Sequence, residues 1–162
     1  MNKKLTYGIF FFLFLCYWMA YMGNLSHIIA YHEQHHLFLY TQAYFDQQIQ
    51  SEGFFSYLTA FIIQFFYYPW LGSALLAFLL ASVYGMVGNV LRLLFGKEDW
   101  LHLSILPSLL LFYHTMEANH TLVPVTITVL SLCMANLVLW LFRRHIPFIP
   151  ILQNTHIQKI TK

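Results

Sequence analysis

Charge is what this sequence has least of. Only 9% of its 162 residues are Asp, Glu, Lys or Arg, against roughly 25% in a soluble domain. A chain with so few charges cannot cover its own surface in water, which excludes a water-soluble globular protein and leaves the bilayer as the partner. The net charge of +2 is too small to hold a polyanion, so no nucleic acid is expected. There are two cysteines, Cys16 and Cys133. Both lie inside apolar runs, where a thiol is a small hydrophobe and reports little on redox compartment. What the chain does have is 59% hydrophobic residues, a mean hydropathy of +0.61 and 19% aromatics, including 16 Phe and 11 Tyr. Aromatic rings of that number suit lipid-facing packing and interfacial belts.

The apolar runs predict an all-α integral membrane bundle of about four transmembrane helices, with interfacial or re-entrant helices in the first outer loop. The first run is 5–25, preceded by Lys3 and Lys4. It is too long for a signal peptide's apolar core and has no small-residue cleavage site after it, so it reads as an uncleaved signal anchor. The second span is 70–94, dotted with Gly72, Ser73, Ala74, Ala77, Ala81, Ser82, Gly85 and Gly88. Small residues let a neighbouring helix approach closely, so the 72–88 face is expected to receive other membrane helices. The third span is 100–115 and contains Pro107; the fourth is 121–142, with Pro124 in its first turn, where proline is cheap. Arg143 and Arg144 end it, so the transmembrane domain is 1–143, and 144–162 is a tail without assigned structure. Asn89 and Asn136 are expected to hydrogen-bond between helices, and His102 invites the same reading.

Between the first two spans lies a polar outer segment, 26–68. Within it, Leu37 to Ile49 places Leu37, Phe38, Tyr44, Phe45 and Ile49 near one helical face, with Gln42, Asp46, Gln47 and Gln50 opposite. That pattern predicts a helix lying in the interface. Phe54 to Tyr68 is apolar but short for a span. Pro69 requires Tyr68 to leave the α region or the helix to kink, so this stretch is re-entrant, interfacial or the first part of a long kinked span. Orientation follows from the cations, which are confined to Lys3, Lys4, Arg92, Lys97, Arg143, Arg144, Lys159 and Lys162. The positive-inside rule places the N-terminus, the 92–99 loop and the tail in the cytoplasm of a bacterial inner membrane.

Two constellations carry candidate chemistry. His32, Glu33 and His36 fit H-E-x-x-H, in which the i, i+4 histidines bind zinc and the glutamate activates water. The 116–120 turn, on the same outer side, brings His114, Glu117 and His120 as further metal ligands. This reading is a zinc metalloprotease or a metal-binding membrane protein; against it stands a hydrated polar loop whose histidines bond water and headgroups. Alternatively, Glu33, Asp46 and Glu52 offer carboxylates just outside the bilayer, where a glycosyltransferase using a lipid-linked sugar needs one as general base on an acceptor hydroxyl or as ligand of a divalent cation. The order of one span, an acidic loop, interface helices and further spans resembles the architecture of GT-C-type transferases. Glu33 is then the leading catalytic residue. The sequence names no cofactor for that chemistry.

A more local resemblance is carried by Glu33-Gln34 followed by Leu37-Phe38, by Gln64-Phe65-Phe66-Tyr67-Tyr68-Pro69-Trp70-Leu71-Gly72, and by the turn from Tyr113-His114 to His120. In these the chain resembles the N-terminal part of an uncharacterised family of polytopic membrane proteins from Bacteroidetes. His32 and His36 are not part of that pattern, which counts against the zinc protease. Members of that family are longer and have more spans, so the resemblance implies a truncated or split member. It implies no activity. The sequence therefore supports an integral membrane protein of unknown molecular function, either a non-catalytic membrane component or the N-terminal module of a GT-C-like enzyme.

Overall fold

The computed structural model describes residues 3–25, 38–95, 103–116 and 121–145. Among them there are six α-helices and no strand. Helix α1, Lys3–Ala20, loosens into a wider turn over Tyr21–Leu25. Helices α2, Gln42–Ser51, and α3, Phe54–Ile63, form a hairpin. Helix α4, Pro69–Phe95, is the longest, followed by the short α5, Ile105–Met116, and by α6, Val123–His145. Three segments are long and apolar enough to cross a membrane: Leu5–Gly23, Pro69–Phe95 and Val123–Phe142.

Helix α4 is the hub. Its small residues Gly72, Ser73, Ala77, Ala81 and Gly88 are buried, together with Leu76, Leu80, Val83 and Tyr84. The stripe that the sequence offered to outside helices is thus largely taken by the chain's own elements, since α1, α5 and α6 all pack on α4. Close approach needs no side chain in the way, and Ala, Ser and Gly provide that. The wall of the core is completed by Leu13, Tyr17 and Tyr21 of α1 and by Leu122 and Val125 at the start of α6.

Contacts between distant residues fix the directions. Trp18 Nε1 donates to the Trp70 carbonyl at 3.4 Å, and Phe10 meets Phe78 edge-on. These pairs share a constant sum of residue numbers, so α1 and α4 run antiparallel. Asn89 bonds Asn136 and Met86 contacts Cys133. Those pairs share a constant difference, so α4 and α6 run parallel. Tyr17 pairs with Ser108 and Tyr21 with Thr115, so α5 runs alongside α1 and against α4. One end of the bundle therefore collects the start of α1, Arg92 and the last turn of α6. The opposite end carries the α2–α3 hairpin.

Three expectations change in detail. The third span, 100–115, reduces to Ile105–Met116, whose 12 residues reach only about 18 Å at 1.5 Å each. The run of apolar residues hid a turn at Leu103–Ser104, where Leu106 N bonds back to the Leu103 carbonyl. Among the described residues the candidate spans are accordingly three by length, not four. The interfacial helix begins at Gln42 rather than Leu37, because Thr41 caps it: its Oγ1 accepts from Tyr44 N at 3.3 Å. Phe38 precedes the helix, and Leu37 lies outside the described residues. Finally, α6 continues through Arg143 and Arg144 to His145. Over 54–68 the chain is not one continuous helix with α4. Tyr68 is extended (φ −102°, ψ 105°) and breaks the chain before Pro69, as the X-Pro restriction requires. Residues 54–67 thus form a separate helix, ending in a 3₁₀ turn over Gln64–Tyr67, that folds back on α4.

That fold-back depends on Gly72. A Cβ there would lie 2.7 Å from the Phe66 Cα, a backbone atom that cannot swing away. Gly8, by contrast, faces open space. In detergent, Gly72→Ala should cost about 1–3 kcal/mol of stability and lower the unfolding midpoint, whereas Gly8→Ala, inside α1 with open space around it, should leave it unchanged or raise it. Equal midpoints for both variants would show that the Phe66–Gly72 approach does not hold the fold-back.

Candidate functional site

The hairpin end is built from aromatic rings. Gly53, with φ 88°, lets the chain reverse between α2 and α3, a backbone region closed to most side chains. Folding back brings Phe38 against Tyr40, Tyr44, Tyr57 and Phe61, all with ring centroids within 5.6 Å. Phe45 meets Tyr57 edge-on and Phe61 meets Phe65. Such pairs add to plain burial because ring edges and faces carry opposite partial charge. The polar face behaves as the sequence predicts, with Gln42, Asp46, Gln47 and Gln50 exposed. Gln48 turns inward and donates to Glu52 Oε2 at 2.8 Å. The Tyr40 hydroxyl donates to Gln64 Oε1 at 2.7 Å, which ties the segment entering α2 to the 3₁₀ turn after α3. Burial raises the Tyr44 phenol pKa above its ordinary value, and the Glu52 carboxylate and Tyr57 add to the shift.

Hydroxyls stitch the helices below the hairpin. Ser108 donates to the Leu80 carbonyl at 2.8 Å and so accepts from the Tyr17 hydroxyl at 2.9 Å. Thr115 donates to the Phe112 carbonyl and accepts from Tyr21. Thr59 of α3 and Thr126 of α6 meet at 2.8 Å while each also reaches a carbonyl of its own helix. Two protons then serve three acceptors, so one is shared. The sequence reading missed this ladder. Its only signal was Ser104, Ser108 and Thr115 recurring at helical spacing in a short apolar run.

At the other end an amide–guanidinium chain links α6 to α4. Asn136 Nδ2 donates to the carbonyls of Met86 and Leu132, and its Oδ1 accepts from Asn89 Nδ2 at 2.6 Å. Asn89 Oδ1 in turn accepts from Arg92 Nη2 at 2.6 Å. This bears out the expectation for the two asparagines. Beside them is a cavity of about 80 Å³ lined by Thr6, Tyr84, Gly85, Gly88, Asn89 and Arg92.

The candidate metal and catalytic residues are covered only in part. His32, Glu33, His36, Glu117 and His120 lie outside the described residues, as does His102. His114 sits half-buried in the last turn of α5, next to Thr115 and hence near Tyr21. No group of three or more His, Cys, Asp or Glu that could hold a metal occurs among the described residues. Cys16 and Cys133 are free thiols on exposed apolar faces, as small hydrophobes would be.

If the amide pair couples α4 to α6, a double-mutant cycle over Asn89→Ala and Asn136→Ala should return an interaction energy of about 0.6 kcal/mol, the average for intramembrane hydrogen bonds, and at most about 1.7 kcal/mol. Strict additivity in thermal unfolding would show that the two amides act independently.

No curated protein matches the chain, and no solved structure does. One family profile matches residues 2–156, nearly the whole length, and its description is a family of unknown function, DUF6057. The uncharacterised status anticipated from the residues is thus shown. The chain belongs to the DUF6057 family.

Proposed function

We propose that this chain is a multi-pass component of a bacterial inner membrane, with both termini cytoplasmic and an aromatic hairpin lying in the outer interface. The observation that carries the reading is the polarity of the bundle. Lys3, Arg92 and Arg143 mark one end by their backbone positions, and no Lys or Arg occurs between Leu5 and Leu91 or between Glu98 and Phe142. The positive-inside rule makes that end cytoplasmic. At the other end Tyr40, Tyr67, Tyr68 and Trp70 are 55–80% exposed. Rings with one polar edge gather where hydrocarbon meets headgroups.

The directions of the helices support a fourth crossing. Because α4 and α6 run parallel, the chain must climb back between residues 96 and 122. Helix α5 is the ascending element. Alone it is too short for a hydrocarbon core of about 30 Å, so it crosses pressed against α1 and α4, with its hydroxyls partnered there. Bare backbone at that depth is tolerated where protein covers it. Exposed Leu106, Leu109, Leu110 and Tyr113 on α5, and Met134, Leu137, Val138 and Trp140 on α6, then face lipid.

As a function, a membrane component whose outward surface is the hairpin fits better than a transferase. An enzyme acting on a lipid-linked sugar phosphate needs cations on the donor's side, and the outer segments have none. Impermeant maleimide added to spheroplasts should label a cysteine at Ser51, which is exposed at the end of α2. A cysteine at Lys97 should react only after permeabilisation. Native Cys16 and Cys133 are first replaced by alanine. Labelling in the reverse order would invert the topology.

A further inference from the structure

The cleft between α1 and α4 at the basic end has the properties of a binding site. Its volume of about 80 Å³ is far below the roughly 300 Å³ of drug-sized pockets, so it admits a small group and not a whole metabolite. Its floor is glycine: Gly85 and Gly88 line it, and a Cβ on Gly85 would meet nothing within 4 Å. That space is open and no neighbour fills it. The wall carries the Thr6 side of α1, the Tyr84 ring and the Asn89 amide. Among the described lining residues the charged one is Arg92.

Arg92 is held rather than loose. Asn136 is fixed by the Met86 carbonyl of α4 and the Leu132 carbonyl of its own helix, it fixes Asn89, and Asn89 Oδ1 takes one guanidinium hydrogen. A guanidinium has five N–H donors in a rigid fork. Among the described residues no carboxylate pairs with it. The remaining donors therefore lie beside a cleft of anion size, oriented by a chain of amides that spans two helices. A simple snorkelling arginine would need none of this positioning.

We propose that this cleft binds the phosphate of an anionic phospholipid of the inner leaflet, with Arg92 as the fork and Asn89 and Asn136 as its positioning residues. The leaflet rests on the topology proposed above; the chemistry of the site does not. Basic clefts between membrane helices on the cytoplasmic side suit lipid headgroups, and the acyl chains would follow the exposed apolar faces of the α1–α4 pair, where Tyr7, Phe11 and Phe78 are more than half exposed.

The test uses the full chain purified in detergent, with its unfolding midpoint titrated against three probes. These are dioleoyl phosphatidylglycerol, dioleoylglycerol, which has the same tails and no phosphate, and inorganic phosphate. Phosphatidylglycerol should raise the midpoint at concentrations where the other two do not. Loss of a charge-assisted hydrogen bond should weaken the apparent affinity about tenfold or more in Arg92→Gln. Gly85→Leu should do the same by filling the cleft with the charge retained, which keeps the test alive if the arginine variant misfolds. Equal stabilisation by dioleoylglycerol would mean that only the tails are recognised. Equal stabilisation by inorganic phosphate would mean a site for a soluble anion. Unchanged affinity in both variants would place the lipid elsewhere. Each of these three results overturns the proposal. Binding kept with reversed maleimide labelling would overturn only the inner leaflet, and binding lost with labelling as expected would remove the site and leave the topology.

Discussion

The close approach of α1, α5 and α6 to one helix governs the rest of the molecule. In lipid, two apolar helices gain little by hiding from a solvent as apolar as themselves. What holds them is contact, and contact is limited by what protrudes. Helix α4 presents Ala77, Ala81 and Ser73 at zero exposure, with Gly72 under Phe66. Replacing that stripe with larger side chains would separate every other element from the hub at once. Beside that stripe α4 buries Leu76, Leu80 and Tyr84, and rings of the partners pack around it: Tyr17 of α1 and Tyr21 of the turn that follows it clasp Phe112 of α5. Small faces on the hub and large knobs around it give density without strain.

Helix direction is the second consequence. Two neighbours in the bundle run the same way, so the chain between them must return. The returning element is short, and a short apolar helix has little of its own to fix its depth or rotation. Hydroxyl pairing supplies both. Ser108 and Thr115 accept from tyrosines of α1, and Ser108 also reaches a carbonyl of α4. Each bond is modest, yet together they define one register along three helices. At the basic end the asparagine pair performs the same task between α4 and α6. The bundle thus uses hydroxyls towards the hairpin and amides towards the cations, and the amide chain ends on Arg92.

Much of this was legible in the residues. Charge scarcity and long apolar runs announce helices long and apolar enough to cross a membrane, and Pro69 announces the break before α4. Asn89 and Asn136 declare themselves because an amide in an apolar run needs a partner. Other features were hidden for physical reasons. Helix α5 looked like a full span because hydropathy does not distinguish a helix from an apolar turn, and Leu103–Ser104 is such a turn. The start of α2 was misplaced because the apolar pattern of Leu37 and Phe38 outweighed the cap at Thr41, although Phe38 still packs on the face it was assigned to. The small-residue stripe was rightly marked as a contact surface, but no single sequence says whether the partner is another chain or its own. The cleft at Arg92 was invisible, since it exists only where Thr6 of α1 meets Gly85 and Gly88 across a helix crossing.

The central claim is the parallel alignment of α4 and α6, because the proposed fourth crossing and the segregation of charge both rest on it. Spin labels on exposed sites in lipid nanodiscs test it most directly. Phe95, at the end of α4, is compared with Phe142 and with Ile127, all three of which are exposed. Phe95 and Phe142 share the offset of the Asn89–Asn136 pair and should lie at one level. Ile127 is 15 residues earlier on α6, about 22 Å away along the axis at 1.5 Å per residue. Double electron–electron resonance should therefore give a clearly shorter distance for 95–142 than for 95–127. The opposite order would mean that α6 runs against α4, which would remove the need for a fourth crossing and contradict the gathering of the cations at one end.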